Sequence, residues 1–387
     1  MDVSLFISKR LRFKGHISMI SIAVSYLVMI IAVSVSSGFR QEIRAGLADL
    51  SGDIRIVPPS QSVLDEDRPI EKNAAYRPYI EGVEGVSEIR PVVYKAGIVK
   101  NTDNIHGVLF KGVESDDTVQ LAVSIPMRLA QITGLGPGDR MLAYFVGESV
   151  KARQFTVTSV YDAMLEADDK LVVYADIADL QRVNGWGQDS VSCLEVMLQE
   201  EMRNEADILN VNAEIGMLIN TYASDDEEYV IASSSVSAYP QLFDWLDLID
   251  FNVLFILILM TIVAGFNMIS GLLIMLFENV SVIGLLKALG MTDRAISKVF
   301  LSSSAILVLK GMALGNGMAF FFCLVQGMTK VLRLDPENYF VSYVPVNLDF
   351  GLVIAADIIS FLVIMFLLLI PCLFISKVDP ADTVRVK

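Results

Sequence analysis

The sequence is poor in the residues that most often carry chemistry. It has only two histidines, His16 and His106, and three cysteines in 387 residues. A histidine-based metal site, a Ser-His-Asp triad and a disulfide framework are therefore disfavoured. The sequence also lacks a G-x-x-x-x-G-K-[ST] phosphate loop and a G-x-G-x-x-G dinucleotide fingerprint. We predict no catalytic residue, no metal ligand and no cofactor bound by this chain.

Charge is almost absent from four long segments. Two contain no charged residue and two contain one each: Ile17–Ser37, Phe251–Phe277, Val299–Val325 with Lys310, and Gly351–Ile375 with Asp357. Each is long enough to cross a hydrocarbon core of about 30 Å, which needs roughly 20 apolar residues in a helix. The first segment is too long for the apolar region of a signal peptide, so we expect it to be retained. The chain is predicted to be a membrane protein with four transmembrane helices.

Basic residues flank these segments mostly on one side, with Lys330 and Arg333 on the other. Four of them precede the first span: Lys9, Arg10, Arg12 and Lys14. The positive-inside rule then places both termini and the 278–298 connection on the cytoplasmic side. The predicted order is a cytoplasmic N-terminus (1–16), a span (17–37), an extracytoplasmic domain (38–250), a span (251–277), a cytoplasmic connection (278–298), a span (299–325), an extracytoplasmic loop (326–350), a span (351–375) and a cytoplasmic tail (376–387).

The block 38–250 is predicted to be one mixed α/β domain outside the cytoplasm. Phe39–Leu50 has apolar residues at helical spacing and predicts an amphipathic helix after the first span. Strand-like runs at 89–100 and 105–113 flank a turn-rich tetrad and predict a hairpin. The block is acidic, either for solvation alone or as a docking face for a basic partner. No nucleic-acid partner is predicted.

The cytoplasmic connection has an unusual pattern. Asn279–Leu289 carries apolar residues at i, i+3, i+4 and i+7 and predicts a short helix. Gly290 follows where a left-handed C-terminal cap is expected, and Thr292 is a candidate N-cap for the next helix. A helix this short needs something to pack against. The pattern leaves open whether that is the membrane lipid interface or a groove on a protein.

Several stretches together resemble the four-span permeases of type VII (MacB/FtsX-like) ABC transporters, most closely the lipoprotein-releasing LolC/LolE permease family. The stretches, in chain order, are FISKRLRFK, SVSSGFRQEI, GFNMISGLLIMLFENVSVIGLLKALGMTDRAISKVF, NYFVSYVPV and IPCLFISKVDPADTVRVK. The resemblance implies that the short inner helix couples to a separate ATPase. The coupling residues it implies are Glu278, Leu285, Lys287, Leu289, Gly290 and Thr292. Val282 departs from the family pattern, where a second acid is common.

The resemblance also implies partners and a substrate. A cytosolic ABC ATPase dimer would bind ATP and Mg²⁺, and a second permease subunit, either a copy or a sister chain, would complete the transporter. Lipoproteins would enter an apolar cavity from the outer leaflet and pass to a periplasmic lipoprotein carrier. The implied cavity residues are Met29, Ile30, Val33, Phe39, Phe251 and Leu254. Ordinary contact with membrane lipid or with a neighbouring helix is the alternative for each of them.

The segment Arg182–Ser190 occupies the place of the loop that recruits the carrier in that family. We expect Arg182 and an exposed Trp186 to contribute to carrier docking. The alternative is a plain turn between a helix and a strand.

The two charges inside the spans, Lys310 and Asp357, have similar estimated depths. We predict that they form an ion pair, because intramembrane charges usually face the bundle and find partners. Its role is either a packing contact between two helices or a step in transport. In the third span, Gly311 and Gly315 form a G-x-x-x-G pair that predicts close helix packing within the subunit.

Three other functions remain as alternatives. The chain could be a mechanotransmission permease of the MacB efflux type, although that type usually carries its ATPase in the same chain. It could be a non-transporting, FtsX-like signalling permease, although that type usually has a smaller outer domain. A membrane receptor without an ATPase is the third.

Overall fold

A computed structural model describes residues 16–59, 68–100, 105–114, 120–146, 150–162, 171–335 and 339–373. Residues 1–15 of the predicted basic N-terminus, the tail at 376–387 and the turn at 101–104 lie outside these residues. The chain divides into two compact units. The membrane unit comprises the described parts of 1–41, 245–333 and 343–387, and the sheet unit comprises those of 42–244 and 334–342.

The α-helices of the described residues are numbered in chain order. They are α1 (His16–Ser51), α2 (Arg77–Glu81), α3 (Met127–Thr133), α4 (Ile177–Asn184), α5 (Glu205–Tyr222), α6 (Ser235–Ala238), α7 (Pro240–Glu278), α8 (Val280–Ala288), α9 (Asp293–Thr329), α10 (Phe350–Leu367) and α11 (Leu369–Cys372). A short 3₁₀ helix spans Glu200–Met202.

The β-strands of the same residues are numbered likewise. They are β1 (Ile54–Val57), β2 (Ile70–Glu71), β3 (Val86–Lys100), β4 (Ile105–Val113), β5 (Ala122–Pro126), β6 (Arg140–Phe145), β7 (Lys151–Tyr161), β8 (Val172–Asp176), β9 (Ser190–Val191), β10 (Cys193–Leu198) and β11 (Ile231–Ser234).

Four helical segments of the membrane unit are long and apolar enough to cross a bilayer, namely α1, α7, α9 and α10 with α11. This confirms the predicted four-helix membrane class. The predicted helix over Phe39–Leu50 is confirmed, and it continues α1 without interruption. No proline interrupts the helix there, and Gly38 stays helical. A Cβ at Gly38 would lie 2.6 Å from the backbone of Pro345, so glycine lets that segment cross the helix closely.

Glycines also set the distance between α1 and α9. A Cβ added at Gly311 would lie 2.7 Å from a side-chain atom of Ile22, and one at Gly315 would lie 2.5 Å from the carbonyl oxygen of Ala23. The G-x-x-x-G pair therefore packs against α1 of the same chain. Small residues at such positions let two helix backbones approach closely in a membrane.

The sheet unit is built on a nine-stranded sheet with the order β11-β1-β10-β3-β4-β8-β5-β7-β6. An additional pairing between β3 and β6 closes the last six of these strands into a ring. The predicted hairpin is present as the antiparallel pair β3–β4, while β4–β8 and β5–β7 are parallel. Phe110, Phe145 and Phe155 are fully buried and contact one another. The predicted mixed α/β domain is confirmed.

A buried ion pair holds the end of α1 within the sheet unit. Lys111 Nζ on β4 donates to the carbonyl oxygens of Asp49 (2.9 Å) and Leu50 (3.0 Å) and to Glu195 Oε2 (2.8 Å). Tyr94 Oη donates to Glu195 Oε1 at 2.5 Å. Burial and the Glu195 carboxylate raise the pKa of Tyr94 well above its ordinary value, so the phenol keeps its proton. The lysine satisfies carbonyls that lack a partner at the helix end and interacts favourably with the helix dipole.

Candidate functional site

The short connection between the second and third membrane helices is the candidate coupling site. α7 ends where the backbone of Asn279 leaves the helical region (φ −110°, ψ 20°). α8 ends at Ala288, and Gly290, just beyond its C-cap Leu289, has a φ of +89° that favours glycine. The N–H of Gly290 donates to Lys287 O and that of Met291 to Leu286 O, the two bonds of a Schellman motif. The chain therefore makes a short helix and a tight turn before α9.

The two faces of α8 have different environments. Ile283 is fully buried in the core of the membrane unit, and Leu286 packs against the same core. On the other face, Leu285 is 56% exposed and Leu289 is 76% exposed, with Val282 beside them. These three side chains, at i, i+3 and i+7, form one apolar stripe on the helix. The stripe has no cover among the described residues and is suited to a groove on another protein.

Polar groups fix the turn that follows α8. Lys287 Nζ lies 3.0 Å from Asp293 Oδ1, so this charge is held across the turn. Thr292 occupies the N-cap position of α9 with extended backbone, but its side chain makes no cap hydrogen bond. Glu278, Gly290 and Thr292 are exposed. The structure thus brings the six implied coupling residues onto one short segment, and their contact with an ATPase stays a prediction.

Four of the six implied cavity residues are buried within the chain itself. Ile30 and Val33 pack against Ala319 of α9 and Val353 of α10, and Met29 is also buried. The placement of these three in an open cavity is therefore wrong for this chain as described. The first span is apolar all round, so its sequence does not show which face packs inward.

The remaining cavity candidates differ from one another. Phe39 is also buried, against the edge of Trp245 at a ring-centroid distance of 5.7 Å, so its placement in the cavity is corrected too. Phe251 is 69% exposed and Leu254 is 53% exposed on α7. These two remain candidates for contact with acyl chains.

The implied carrier-docking loop is a tight turn. Trp186 is partly buried against the core of the sheet unit, which corrects the expected exposure. The backbone N–H of Trp186 donates to the backbone carbonyl oxygen of Gln181 at 2.9 Å. The side-chain Nε2 of Gln181 donates to the carbonyl oxygens of Gln188 and Ser190. Arg182 pairs with Asp179 of the same helix. This geometry agrees with the plain helix-to-strand turn that was the alternative.

The intramembrane pair is also corrected. Asp357 Oδ2 accepts a hydrogen bond from Asn316 Nδ2 at 2.6 Å, and the Lys310 side chain is exposed. No ion pair joins Lys310 to Asp357 in the part of the chain that the structure describes. Asn316 lies six residues beyond Lys310, about 9 Å along the helix.

Sequence reasoning missed one contact that joins two membrane helices. Arg40 of α1 and Asp250 of α7 form an ion pair. A signal was available, because each is the charge nearest to a charge-free run of more than 20 residues.

No group of three or more His, Cys, Asp or Glu side chains that could hold a metal occurs among the described residues.

Comparison with known proteins matches residues 254–380 to the family described as FtsX-like permease C-terminal. Lipoprotein-releasing system transmembrane protein LolC of Neisseria meningitidis serogroup B is 22% identical, over 97% of this chain and 96% of that protein. LolC of Xylella fastidiosa is 20% identical, over 95% of this chain and 92% of that protein. The predicted resemblance is therefore confirmed.

Two solved structures resemble part of the chain. The periplasmic region of MacB from Actinobacillus actinomycetemcomitans matches with a TM-score of 0.33 and 11% identity, covering 50% of this chain and 95% of that one. The extracellular domain of the ABC-type transporter YknZ from Gram-positive bacteria matches with a TM-score of 0.30 and 13% identity, covering 47% and 99%.

Proposed function

We propose that the chain is a multi-pass inner-membrane permease of the ABC transporter type and that it releases lipoproteins from the membrane. Four helices long and apolar enough to cross a bilayer, and the match of residues 254–380 to the FtsX-like permease C-terminal family, support this proposal. A separate cytosolic ATPase dimer binds ATP and Mg²⁺ and drives the permease. Two permease subunits, identical or sister chains, take lipoproteins from the outer leaflet and pass them to a periplasmic carrier. The N- and C-termini of the chain lie in the cytoplasm.

The observation that carries this proposal is the extent of the similarity to LolC. The match covers 97% of this chain and 96% of the Neisseria protein, so it includes the large domain as well as the membrane helices. The lipoprotein substrate is taken from the function for which those relatives are named. The chain also carries one large α/β unit between its first two membrane helices in chain order, consistent with a permease of this type.

The apolar stripe of α8, formed by Val282, Leu285 and Leu289, supports the coupling to an ATPase. Its exposed leucines would be costly in water and fit a groove on a partner protein. The opposite face of α8 is anchored in the membrane unit through Ile283. A displacement imposed on the stripe by the ATPase therefore reaches the membrane helices.

Extraction of a lipid-anchored protein requires energy. Each CH₂ group of an acyl chain contributes about 0.8 kcal/mol to membrane binding, so release of a multiply acylated protein without energy input is very slow. ATP hydrolysis can supply this work when a carrier shields the acyl chains in the aqueous phase. Phe251 and Leu254 are exposed apolar side chains on α7 that can contact acyl chains.

Reconstitution tests the proposal. The permease, its ATPase and any sister permease are placed in liposomes that contain an acylated lipoprotein, and a soluble carrier is added. We expect the lipoprotein to appear in the soluble fraction only with hydrolysable ATP and carrier present. Stimulated ATP hydrolysis with no release would contradict lipoprotein release and favour the MacB-like efflux or FtsX-like signalling function. Failure to co-purify with any ATPase would favour a receptor.

A further inference from the structure

The C-terminal half of α1 contains a run of small and polar residues, Ser34–Arg40 (SVSSGFR), to which the proposed function assigns no role. Arg40 directly follows the charge-free run of the first span, and Asp250 directly precedes that of the second. The two charges therefore lie at the same boundary of the predicted spans, on the extracytoplasmic side.

Two side chains of α1 bind both oxygens of one carboxylate. Ser36 Oγ donates to Asp250 Oδ1 at 2.6 Å, and Arg40 Nη2 donates to Asp250 Oδ2. The Arg40 and Asp250 side chains are each only about one-third exposed (35% and 34%). Hydrogen bonds with an ionised partner are stronger than those between neutral groups. Asp250 therefore fixes the distance between α1 and α7 at this level.

An aromatic contact lies next to this carboxylate. Phe39 is buried and meets the edge of Trp245 with ring centroids 5.7 Å apart. Edge-to-face aromatic pairs are favourable beyond the area that they bury. Because Phe39 adjoins Arg40 in sequence, the apolar and the charged contacts hold the same turn of α1 against α7.

The segment before α10 joins the same turns of α1. The N–H of Asn347 donates to Ser34 O at 2.9 Å, and Asn347 Nδ2 donates to Ser37 Oγ at 3.2 Å. Gly38 accommodates the backbone of Pro345, which would lie 2.6 Å from a Cβ at this position. Six of the seven residues in Ser34–Arg40 thus contact α7 or this segment through a side chain, a carbonyl or the absence of a Cβ.

We propose that these contacts form a force-transfer junction, the outer junction, made of Ser34–Arg40, Trp245, Asp250 and Pro345–Asn347. It makes the outer parts of α1, α7 and the α9–α10 connection move as one body. α7 is followed directly by α8, so a displacement that enters at α8 travels along α7 and reaches α1 through Asp250. This step rests on the proposed function in one respect, namely that the displacement enters at α8.

The first test measures the junction itself and requires no transport. Spin labels are attached at Gln41→Cys and Leu248→Cys in the full chain in nanodiscs; the native cysteines are buried. The parent should give a narrow distance distribution, and Arg40→Ala and Asp250→Ala should each broaden it. Arg90→Ala removes a comparable ion pair with Glu88 in the sheet unit and serves as the matched control. Unchanged distributions in both junction variants would overturn the proposal.

The second test measures coupling in the complete transporter with its ATPase. The ratio of lipoprotein released to ATP hydrolysed should fall severalfold in Arg40→Ala, while ATP hydrolysis persists and Arg90→Ala behaves as the parent. Asp250→Asn, which keeps an acceptor for Ser36, should lose less than Asp250→Ala. A parent-like ratio in Arg40→Ala would overturn the force transfer. If the parent releases no lipoprotein, the proposed function fails, and the label distances still decide whether the junction exists.

Discussion

Lys111 is the residue whose loss we expect to cost most. It is 2% exposed, and its ammonium group binds the carbonyls of Asp49 and Leu50 and the carboxylate of Glu195. Lys111→Met leaves a buried carboxylate without its counter-charge, which typically costs about 3–5 kcal/mol. We expect chemical denaturation of the solubilised chain to show a loss of this size for the sheet unit.

A double variant separates charge from packing at this site. In Lys111→Met with Glu195→Gln, no buried charge is left unpaired, and the amide oxygen that replaces the carboxylate would still accept from Tyr94. Replacing both members of a buried ion pair is often close to neutral. The double variant should therefore recover most of the lost stability. Equal destabilisation in the single and double variants would show that packing, not charge, makes Lys111 important.

Tyr174 gives a dependence of stability on pH. Burial, with smaller effects of Asp49 and Glu195, raises its pKa to about 12. An unfolded tyrosine has a pKa of about 10, so between these values the unfolded chain binds fewer protons than the folded one. Stability therefore falls as pH rises from about 10 to about 12. Tyr174→Phe should make this fall shallower in denaturation curves across that range. The exposed Tyr229→Phe is the control, and a parent-like slope in Tyr174→Phe would contradict the assignment.

Single residues were predicted well where local sequence decides their role. Gly290 ends a periodic apolar run, and the structure gives it the positive φ that such an end requires. Met29 could not be placed by sequence, because the first span is apolar on every face. The predicted pairing of Lys310 with Asp357 is wrong, because the side chains that meet inside the membrane depend on the depth and rotation of each helix. The sequence gives neither of these. Asn316, a neutral residue, donates to Asp357 Oδ2 instead.

At the scale of helices, Gly315 and Gly317 form a matched pair on α9. A Cβ at Gly315 would lie 2.5 Å from Ala23 O and 2.8 Å from Tyr26 Cβ, whereas nothing lies within 4 Å of one at Gly317. Gly315→Ala must push α1 and α9 apart, at about 1–3 kcal/mol for overpacking. Gly317→Ala should have little effect. Thermal unfolding in detergent measures both, and equal stability of the two variants would contradict the close approach.

The apolar stripe of α8 can be tested as an element. Leu285→Asp changes an exposed side chain, so the membrane unit should fold with little change in stability. Co-purification with the ATPase should nevertheless be lost, because a charge then enters an apolar groove. Leu209→Asp on α5 changes another exposed leucine and should leave co-purification intact. Retained ATPase binding in Leu285→Asp would show that the stripe faces lipid.

Elements were predicted where composition alone marks them. Four long apolar runs are enough to identify four membrane helices, because a hydrocarbon core selects for length and apolarity. The helix predicted over Phe39–Leu50 is also present, and the structure shows that it is one continuous helix with the first span, ending at Ser51. The closed ring of strands was not predicted. It depends on the pairing of Ile98 and Val99 with Tyr144 and Ala143, which are distant in sequence and carry no local signal.

For the whole molecule, the number of transmembrane helices and their orientation in the membrane rest on different observations. The structure supplies four apolar helices, whereas the direction rests on basic residues near their ends. Lys330 and Arg333 weaken that argument, since they lie on the predicted outer side. Lys330 Nζ lies 3.8 Å from the centroid of the Tyr343 ring in the same connection. This cation–π contact gives Lys330 a local structural role that is independent of the side of the membrane on which it lies.

Site-directed labelling tests the direction. Leu248→Cys and Met328→Cys are exposed positions on the predicted outer side, and Leu289→Cys is exposed on the predicted inner side. In intact spheroplasts, a membrane-impermeant maleimide should label the first two variants and should label Leu289→Cys only after permeabilisation. The parent chain, whose cysteines are buried, is the control for background. Labelling of Leu289→Cys in intact cells would place α8 outside, where no ATP-driven motor could reach it.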